Sequence, residues 1–187
     1  MADLKDWKII LDQYKYHSKQ EIIERITKKG PGATAEDKDI LNQIGLWKAD
    51  RIICISNGTI SLLNKVAEEI KTPAEALSNS DLPKLINDLV DSEGVGLPMA
   101  STILNFYNEK AFPIIDARAY RQVYGGKADY KEPAVKYIDY IGKCNALASE
   151  HGIPFEKVDQ VLYQKDILEG NKLNVAAKPK PESTTPA

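Results

Sequence analysis

Apolar residues recur with the period of an α-helix on both sides of a glycine-containing turn in the middle of the chain. The first predicted helix follows Ser80 or Asp81, either of which can cap it. Its apolar residues are Leu82, Leu85, Ile86 and Leu89. A second helix is predicted over 98–108, because proline at 98 suits a first turn, where its missing N–H group is not needed. Its apolar residues are Ala100, Ile103, Leu104 and Tyr107.

The turn between these helices, Ser92-Glu93-Gly94-Val95-Gly96, contains two glycines one residue apart. Glycine permits positive φ angles and a close approach of the backbone to a ligand. A tight turn that leads into a helix N-terminus directs several N–H groups toward one point, which is typical of a phosphate-binding site. After the second helix, Ala111-Phe112-Pro113-Ile114-Ile115 predicts a buried, extended run that leads to Asp116.

The rest of the apolar pattern is also helical, so the sequence predicts an all-α fold. Further helical patterns span 4–11, 18–28, 35–44, 47–55, 61–71, 131–150 and 155–168. We expect Ser18 to cap the helix over 18–28 and Gly30-Pro31-Gly32 to form a loop after it. Gly45 is expected to interrupt the helix that begins at 35, and Thr72-Pro73 to end the helix over 61–71. In the long helix over 131–150, the predicted buried stripe is Val135, Ile138, Ile141, Cys144 and Leu147.

The domain organisation follows from where apolar residues stop. Residues 1–170 are predicted to form one helical domain, with a helix-hairpin-helix at about 81–109 and an aspartate-led helix at 116–123. Residues 171–187 are rich in Pro, Lys and Thr and have almost nothing to bury, so we expect a disordered tail.

Charge and cysteine content limit the classes of function. The chain has 25 Lys and Arg against 27 Asp and Glu, a net charge of −2, which argues against a generic nucleic-acid binder. Cys54 and Cys144 cannot supply the four thiolates of an iron-sulfur cluster. Two unpatterned cysteines and no signal peptide indicate a cytoplasmic protein, and no apolar run is long enough to span a membrane.

The turn together with Phe112-Pro113-Ile114-Ile115-Asp116-Ala117-Arg118-Ala119-Tyr120-Arg121 resembles the helix-hairpin-helix DNA glycosylases, the endonuclease III-like (HhH-GPD) superfamily. The similarity extends over roughly 44–170 and includes Ile44-Gly45-Leu46-Trp47-Lys48-Ala49. It implies base-excision repair of double-stranded DNA that contains a damaged or mismatched base, with Asp116 as the catalytic aspartate. In relatives bound to DNA, such turns can hold a monovalent cation through backbone carbonyls, which the resemblance leaves open here; no other cofactor is expected.

Two departures from the family pattern affect the expected chemistry. The lysine of bifunctional members is replaced by Pro98, while the spacing of eighteen positions to Asp116 is kept. Proline has no free amine, so a Schiff base to the sugar C1′ cannot form there, and the resemblance implies a monofunctional enzyme that uses water. Glu93 places a carboxylate close to where DNA phosphate would lie, which weakens the phosphate-binding interpretation.

Each candidate residue has a structural alternative. Asp116 can stabilise an oxocarbenium ion and orient water, or it can cap the helix that begins at Ala117. Arg118 can bind a DNA phosphate beside the lesion, or pair with a surface carboxylate, and Arg121 is a further predicted DNA contact. The turn residues Gly94, Val95 and Gly96 are the other predicted DNA contacts. The aromatic candidates for stacking on an extruded base, which are more often core residues, are Trp47, Tyr107 and Tyr120.

Three functions remain open at this point. The first is a monofunctional DNA glycosylase, expected to be a monomer in the cytoplasm, or near the nucleoid if the source is prokaryotic. The second is a non-catalytic DNA-binding protein, favoured by the missing lysine and by an N-terminal half with fewer helices than the resembling family generally has. The third is a lyase that uses another amine, such as Lys48 or Lys84.

Overall fold

The computed structural model describes residues 4–13, 20–28, 35–49 and 53–171. Within these ranges the chain forms α-helices and no β-strand, which confirms the all-α prediction. The helices are α1 (Trp7–Asp12), α2 (Gln20–Lys28), α3 (Ala35–Ala49), α4 (Asn57–Glu69), α5 (Pro73–Ser78), α6 (Leu82–Val90), α7 (Leu97–Tyr107), α8 (Ala117–Tyr124), α9 (Pro133–His151) and α10 (Val158–Leu168). A short 3-10 helix, Phe155–Lys157, precedes α10.

The helix α7 is the centre of the core. Nearly every residue from Leu97 to Phe106 is buried, since α2, α3, α4, α6 and α9 all pack against it. Most of its residues are apolar, and its buried polar side chains, Ser101, Thr102 and Asn105, donate hydrogen bonds to backbone carbonyls, so the whole helix can be enclosed. At the C-terminal end of the described chain, α10 packs against α8 and α1. This packing brings α10 beside the segment that leads to Asp116.

Local polar contacts fix several helix ends. The Ser56 hydroxyl accepts a hydrogen bond from Thr59 N at the start of α4. Thr72 and Glu75 form a capping box at the start of α5, a helix that the sequence pattern missed. Thr72-Pro73 does follow the end of α4, but the same pair then begins a new helix. The helix α9 ends as predicted at Gly152, which has a left-handed conformation.

Gly45 does not interrupt the helix, contrary to the prediction, because α3 continues through it from Ala35 to Ala49. Glycine inside a helix costs only about 1 kcal/mol relative to alanine. Burial of Ile40, Leu41 and Ile44 on the same helix offsets that cost. The pattern assigned to 47–55 is therefore divided between the end of α3 and an extended stretch from Ile53 onward.

The predicted stripe on α9 was wrong at Val135, whose exposure is 66%. A strict three-residue repeat drifts around a helix that has 3.6 residues per turn. The prediction is confirmed at Ile141, Cys144 and Leu147, which are fully buried. The buried residues of the helix follow alternating steps of three and four. They are Ala134, Tyr137, Ile141, Cys144 and Ala148, joined by Tyr140 and Leu147.

Some predictions fall on residues outside the described ranges. These are the Ser18 cap, the 30–32 loop and the tail from residue 172 onward. Among the helices that are described, none combines the length and the apolar character needed to cross a membrane.

Candidate functional site

The turn between α6 and α7 needs glycine at one position. Gly94 has φ of 79°, a left-handed angle that other residues adopt at a cost. Gly96 has φ of −99° and begins α7 in an extended conformation, so its backbone does not require glycine. The Val95 side chain is buried, and its N–H group donates to Ser92 O at 3.1 Å. That N–H group therefore closes the turn itself.

Acidic side chains are exposed at this turn. Asp91 and Glu93 both lie at its surface. The Glu93 carbonyl also accepts a hydrogen bond from Cys54 N at 3.2 Å, which fixes the turn to the extended stretch before α4. Two carboxylates near the N-terminus of α7 reduce the attraction of that terminus for phosphate.

Side chains of three helices hold the extended segment 112–115. Phe112 N donates to Asn108 O at 3.1 Å, but the segment is not helical, so its other buried backbone groups need partners elsewhere. The contacts are Asn105 Nδ2 to Phe112 O (2.6 Å), Tyr137 Oη to Pro113 O (2.9 Å), Tyr140 Oη to Ile114 O (3.0 Å), Ile114 N to Asp159 Oδ2 (2.7 Å) and Ile115 N to Ser101 Oγ (3.1 Å). The donors and acceptors come from α7, α9 and α10. The residue that follows this segment is consequently fixed in position.

That residue, Asp116, is the N-cap of α8. Its Oδ1 accepts hydrogen bonds from Arg118 N at 2.9 Å and Ala119 N at 2.8 Å. The capping interpretation is therefore confirmed. In the described ranges no hydrogen bond reaches Oδ2, and the side chain is half-buried. One carboxylate oxygen is held by the helix, and the other is left for a ligand or water.

A small cavity adjoins Asp116. Its volume is about 40 Å³, which is room for one or two water molecules. The residues that line it are Trp47, Lys48, Ile114, Asp116, Ala119, Asp159, Gln160 and Tyr163. The walls come from α3, α8 and α10, so residues far apart in the sequence meet here.

The two lysines named as alternative amines are in different surroundings. Lys48 lines the Asp116 cavity. Lys84 lies on the exposed face of α6, where it forms an ion pair with Asp88 one turn away. Only Lys48 therefore shares a cavity with the carboxylate.

Arg118 and Arg121 face a buried carboxylate of α10. Arg118 Nη1 donates to Asp166 Oδ2 at 2.9 Å and to the Asn171 carbonyl at 2.9 Å. Arg121 Nη1 lies 3.6 Å from Asp166 Oδ1. Asp166 is fully buried, and Arg118 is only 16% exposed. These contacts match the alternative in which Arg118 pairs with a carboxylate of the protein. The carboxylate is buried, however, whereas a surface carboxylate was expected.

The aromatic candidates are packed differently from one another. Tyr120 is buried against Tyr124 and Tyr130. The Tyr107 hydroxyl donates to Asp37 at 3.4 Å, and burial raises the pKa of that tyrosine well above its ordinary value. Trp47 packs edge-on against Phe106 and also lines the Asp116 cavity. Of the three, only Trp47 contributes to the cavity wall.

Sequence reasoning missed the buried acids of α10. Asp159 and Asp166 are seven positions apart and so lie on one side of the helix, and both are buried. The seven-residue spacing could have been recognised in the sequence as two acidic residues on the same side of one helix. Tyr130 was missed as well: its hydroxyl is buried with no hydrogen-bond partner among the described residues. Burial, and after it the charge of Asp116, raises the pKa of Tyr130.

No group of three or more His, Cys, Asp or Glu side chains in the described ranges is arranged to hold a metal ion. No family model matches the chain, and neither a curated protein nor a solved structure shows significant similarity to it.

Proposed function

We propose that the protein is a monofunctional DNA glycosylase that hydrolyses the bond between a damaged or mismatched base and its deoxyribose. The observation that carries the proposal is the setting of Asp116. One of its carboxylate oxygens accepts hydrogen bonds from two backbone amides of α8, and the residue lines a cavity of about 40 Å³, which is large enough for water. The turn before α7 and the spacing of eighteen residues from Pro98 support the same function through the family resemblance.

Asp116 has the properties that the reaction needs. Cleavage of an N-glycosidic bond develops positive charge at C1′, which a nearby carboxylate stabilises. The amides of Arg118 and Ala119 stabilise the negative charge and fix the orientation of the group. The other oxygen then orients an attacking water molecule and accepts its proton.

Base binding requires the cavity to widen. Its volume of about 40 Å³ accepts water but not a nucleobase. Trp47 of α3 and Tyr163 of α10 form aromatic walls on which an extruded base can stack. We therefore propose that α3 and α10 separate when a base is flipped out of the duplex.

The test is a single-turnover excision assay on duplexes that each contain one lesion or mismatch. Asp116→Asn keeps the size of the side chain and removes its charge, so we expect a loss of about 100-fold or more in the excision rate. Binding to the same duplexes, measured by gel shift, should be retained. Glu68→Gln, which makes the same change of charge at an exposed position on α4, away from the turn and the cavity, is the control and should excise at the wild-type rate.

An unchanged rate in Asp116→Asn contradicts the proposal. A wild-type protein that binds nicked or abasic DNA but releases no base from any duplex would instead select the non-catalytic alternative.

A lyase is the second candidate, because Lys48 lines the same cavity as Asp116. Its amine would condense with the C1′ aldehyde of an abasic site and release water, which gives an imine. Borohydride reduces such an imine to a stable protein–DNA adduct. Trapping that is lost in Lys48→Gln and retained in Lys84→Gln would establish this activity.

A further inference from the structure

A second and larger cavity lies between α3 and α4. Its volume is about 390 Å³, within the range of roughly 300–1,000 Å³ that is usual for small-molecule sites. The residues that line it are Lys38, Leu41, Asn42, Ile53, Cys54, Ile55, Ser56 and Ile60. None of them lines the Asp116 cavity, so this is a separate site.

The floor of this cavity is apolar. Leu41, Ile53 and Ile60 are buried residues of the core, and Ile55 is half-buried beside them. An apolar floor of this kind favours a ligand with a hydrocarbon body.

The polar groups at the edge of the cavity are hydrogen-bond donors. Lys38 and Asn42 are four residues apart on α3, so their side chains are neighbours on one face of the helix. Asn42 Oδ1 accepts from Ile53 N at 3.4 Å, which leaves the amide nitrogen to donate. Two donors side by side, one of them cationic, match a carboxylate.

The charge of Lys38 is also left for a ligand. The acidic residues near it in the sequence are Glu36, Asp37 and Asp39. Glu36 and Asp39 pair with Arg25 of α2, and the buried Asp37 accepts a hydrogen bond from the Tyr107 hydroxyl. Among the residues that the structure describes, no carboxylate forms an ion pair with Lys38. The remaining hydroxyl at the edge, that of Ser56, is occupied in capping α4.

We propose that this cavity binds a small amphipathic carboxylate. The hydrocarbon part lies on Leu41, Ile53 and Ile60, and the carboxylate accepts hydrogen bonds from Lys38 and Asn42. This proposal does not depend on the function proposed for Asp116.

Cys54 provides a direct reporter of occupancy. The chain has two cysteines, and Cys54 is exposed in the cavity while Cys144 is buried. Burial raises the pKa of the Cys144 thiol well above 9.0, so that thiol stays protonated and unreactive. N-ethylmaleimide, an uncharged reagent, therefore reports on Cys54 alone.

The experiment measures the rate of Cys54 alkylation in the full chain with octanoate or the neutral octanol at equal millimolar concentration. We expect octanoate to slow the reaction at least about threefold, and octanol to slow it less, because the alcohol lacks the charge that Lys38 binds. Lys38→Met should abolish the difference between the two compounds. Lys71→Met, an exposed lysine outside the cavity, should preserve it.

Unchanged alkylation with both compounds would show that no such site exists. Equal protection by octanol and octanoate, or full octanoate protection in Lys38→Met, would show that a carboxylate is not the ligand class.

Discussion

The side chain of Asp166 is a buried charge stabilised by several donors. Arg118 pairs with Oδ2 and Arg121 with Oδ1, and Gln122 Nε2 and Asn171 Nδ2 lie 3.4 Å and 3.2 Å from Oδ1. A buried carboxylate is tolerated only when its oxygens are paired in this way. Because Arg118 and Arg121 are on α8 and Asp166 is on α10, this cluster joins the two helices that flank Asp116.

Asp166→Asn is expected to lower the free energy of unfolding by roughly 2–4 kcal/mol, because it leaves the largely buried Arg118 without its counter-charge. Urea denaturation measures this change. The control is Asp88→Asn, which breaks the exposed ion pair with Lys84 and should cost less than about 1 kcal/mol. Equal losses in the two variants would show that Asp166 is not a buried, paired charge.

At the residue scale, the sequence predicted local roles better than distant partners. Aspartate before a helix and glycine in a tight turn follow from backbone geometry alone, and Asp116 and Gly94 behave accordingly. The partner of Arg118 lies 48 positions away on α10. Its identity depends on how α8 and α10 pack, which a single sequence does not specify.

The segment 112–115 is an element without secondary structure of its own. Its position depends on hydrogen bonds to side chains, and Ser101 provides the bond closest to Asp116 by accepting from Ile115 N. Ser101 and the adjacent Thr102 both donate to the Pro98 carbonyl, but only Ser101 also contacts the segment. Substitutions at Ser101 and Thr102 therefore distinguish the stability gained from contact with segment 112–115 from the stability gained from hydrogen bonds within α7.

Ser101→Ala should reduce the free energy of unfolding by about 1–3 kcal/mol, since the buried N–H of Ile115 loses its acceptor. Thr102→Val removes only a bond within α7 and should cost less than about 1 kcal/mol. Thermal and urea unfolding of both variants measure the difference. If Thr102→Val proves the more damaging change, Ser101 does not hold the segment.

At the element scale, most helices were predictable because their ends and apolar faces have local signals. The helices α6 and α7 begin within one residue of the predicted positions, and Gly152 ends α9. The error at Gly45 arose because burial of its helix neighbours offsets the local cost of glycine, and the error at Val135 arose from a repeat of three residues on a helix whose period is 3.6. The cavity beside Asp116 could not be predicted in detail, because its walls come from three separate helices.

At the scale of the whole molecule, several tyrosine side chains and one cysteine that stay protonated in the folded state lie on or next to α7, α8 and α9. Burial is the main cause that raises the pKa of each of these tyrosines above 10.0: Tyr107, Tyr124, Tyr130, Tyr137 and Tyr140. Cys144 shares the same direction and the same cause. The folded protein therefore keeps protons that the unfolded chain releases in alkaline solution.

This difference predicts a loss of stability at high pH. The stabilisation is complete below the unfolded pKa values of 9.0 and 10.0, and it declines as pH rises above them, because the unfolded state then binds fewer protons. Each group contributes up to about 1.4 kcal/mol per pH unit. Urea unfolding at about pH 8 and about pH 11 measures the decline. Tyr137→Phe should show a shallower decline, and equal slopes would count against the assignment.

The position of α10 also determines when the Asp116 cavity can form during synthesis of the chain. Three of the eight residues around the Asp116 cavity, Asp159, Gln160 and Tyr163, are on this helix. Until the ribosome has released it, Ile114 lacks its acceptor, Arg118 lacks its carboxylate and the cavity lacks a wall. A nascent chain that stops before residue 159 has the α6–α7 turn and the aspartate but not the cavity, so the reaction proposed for Asp116 requires α10 to be in place.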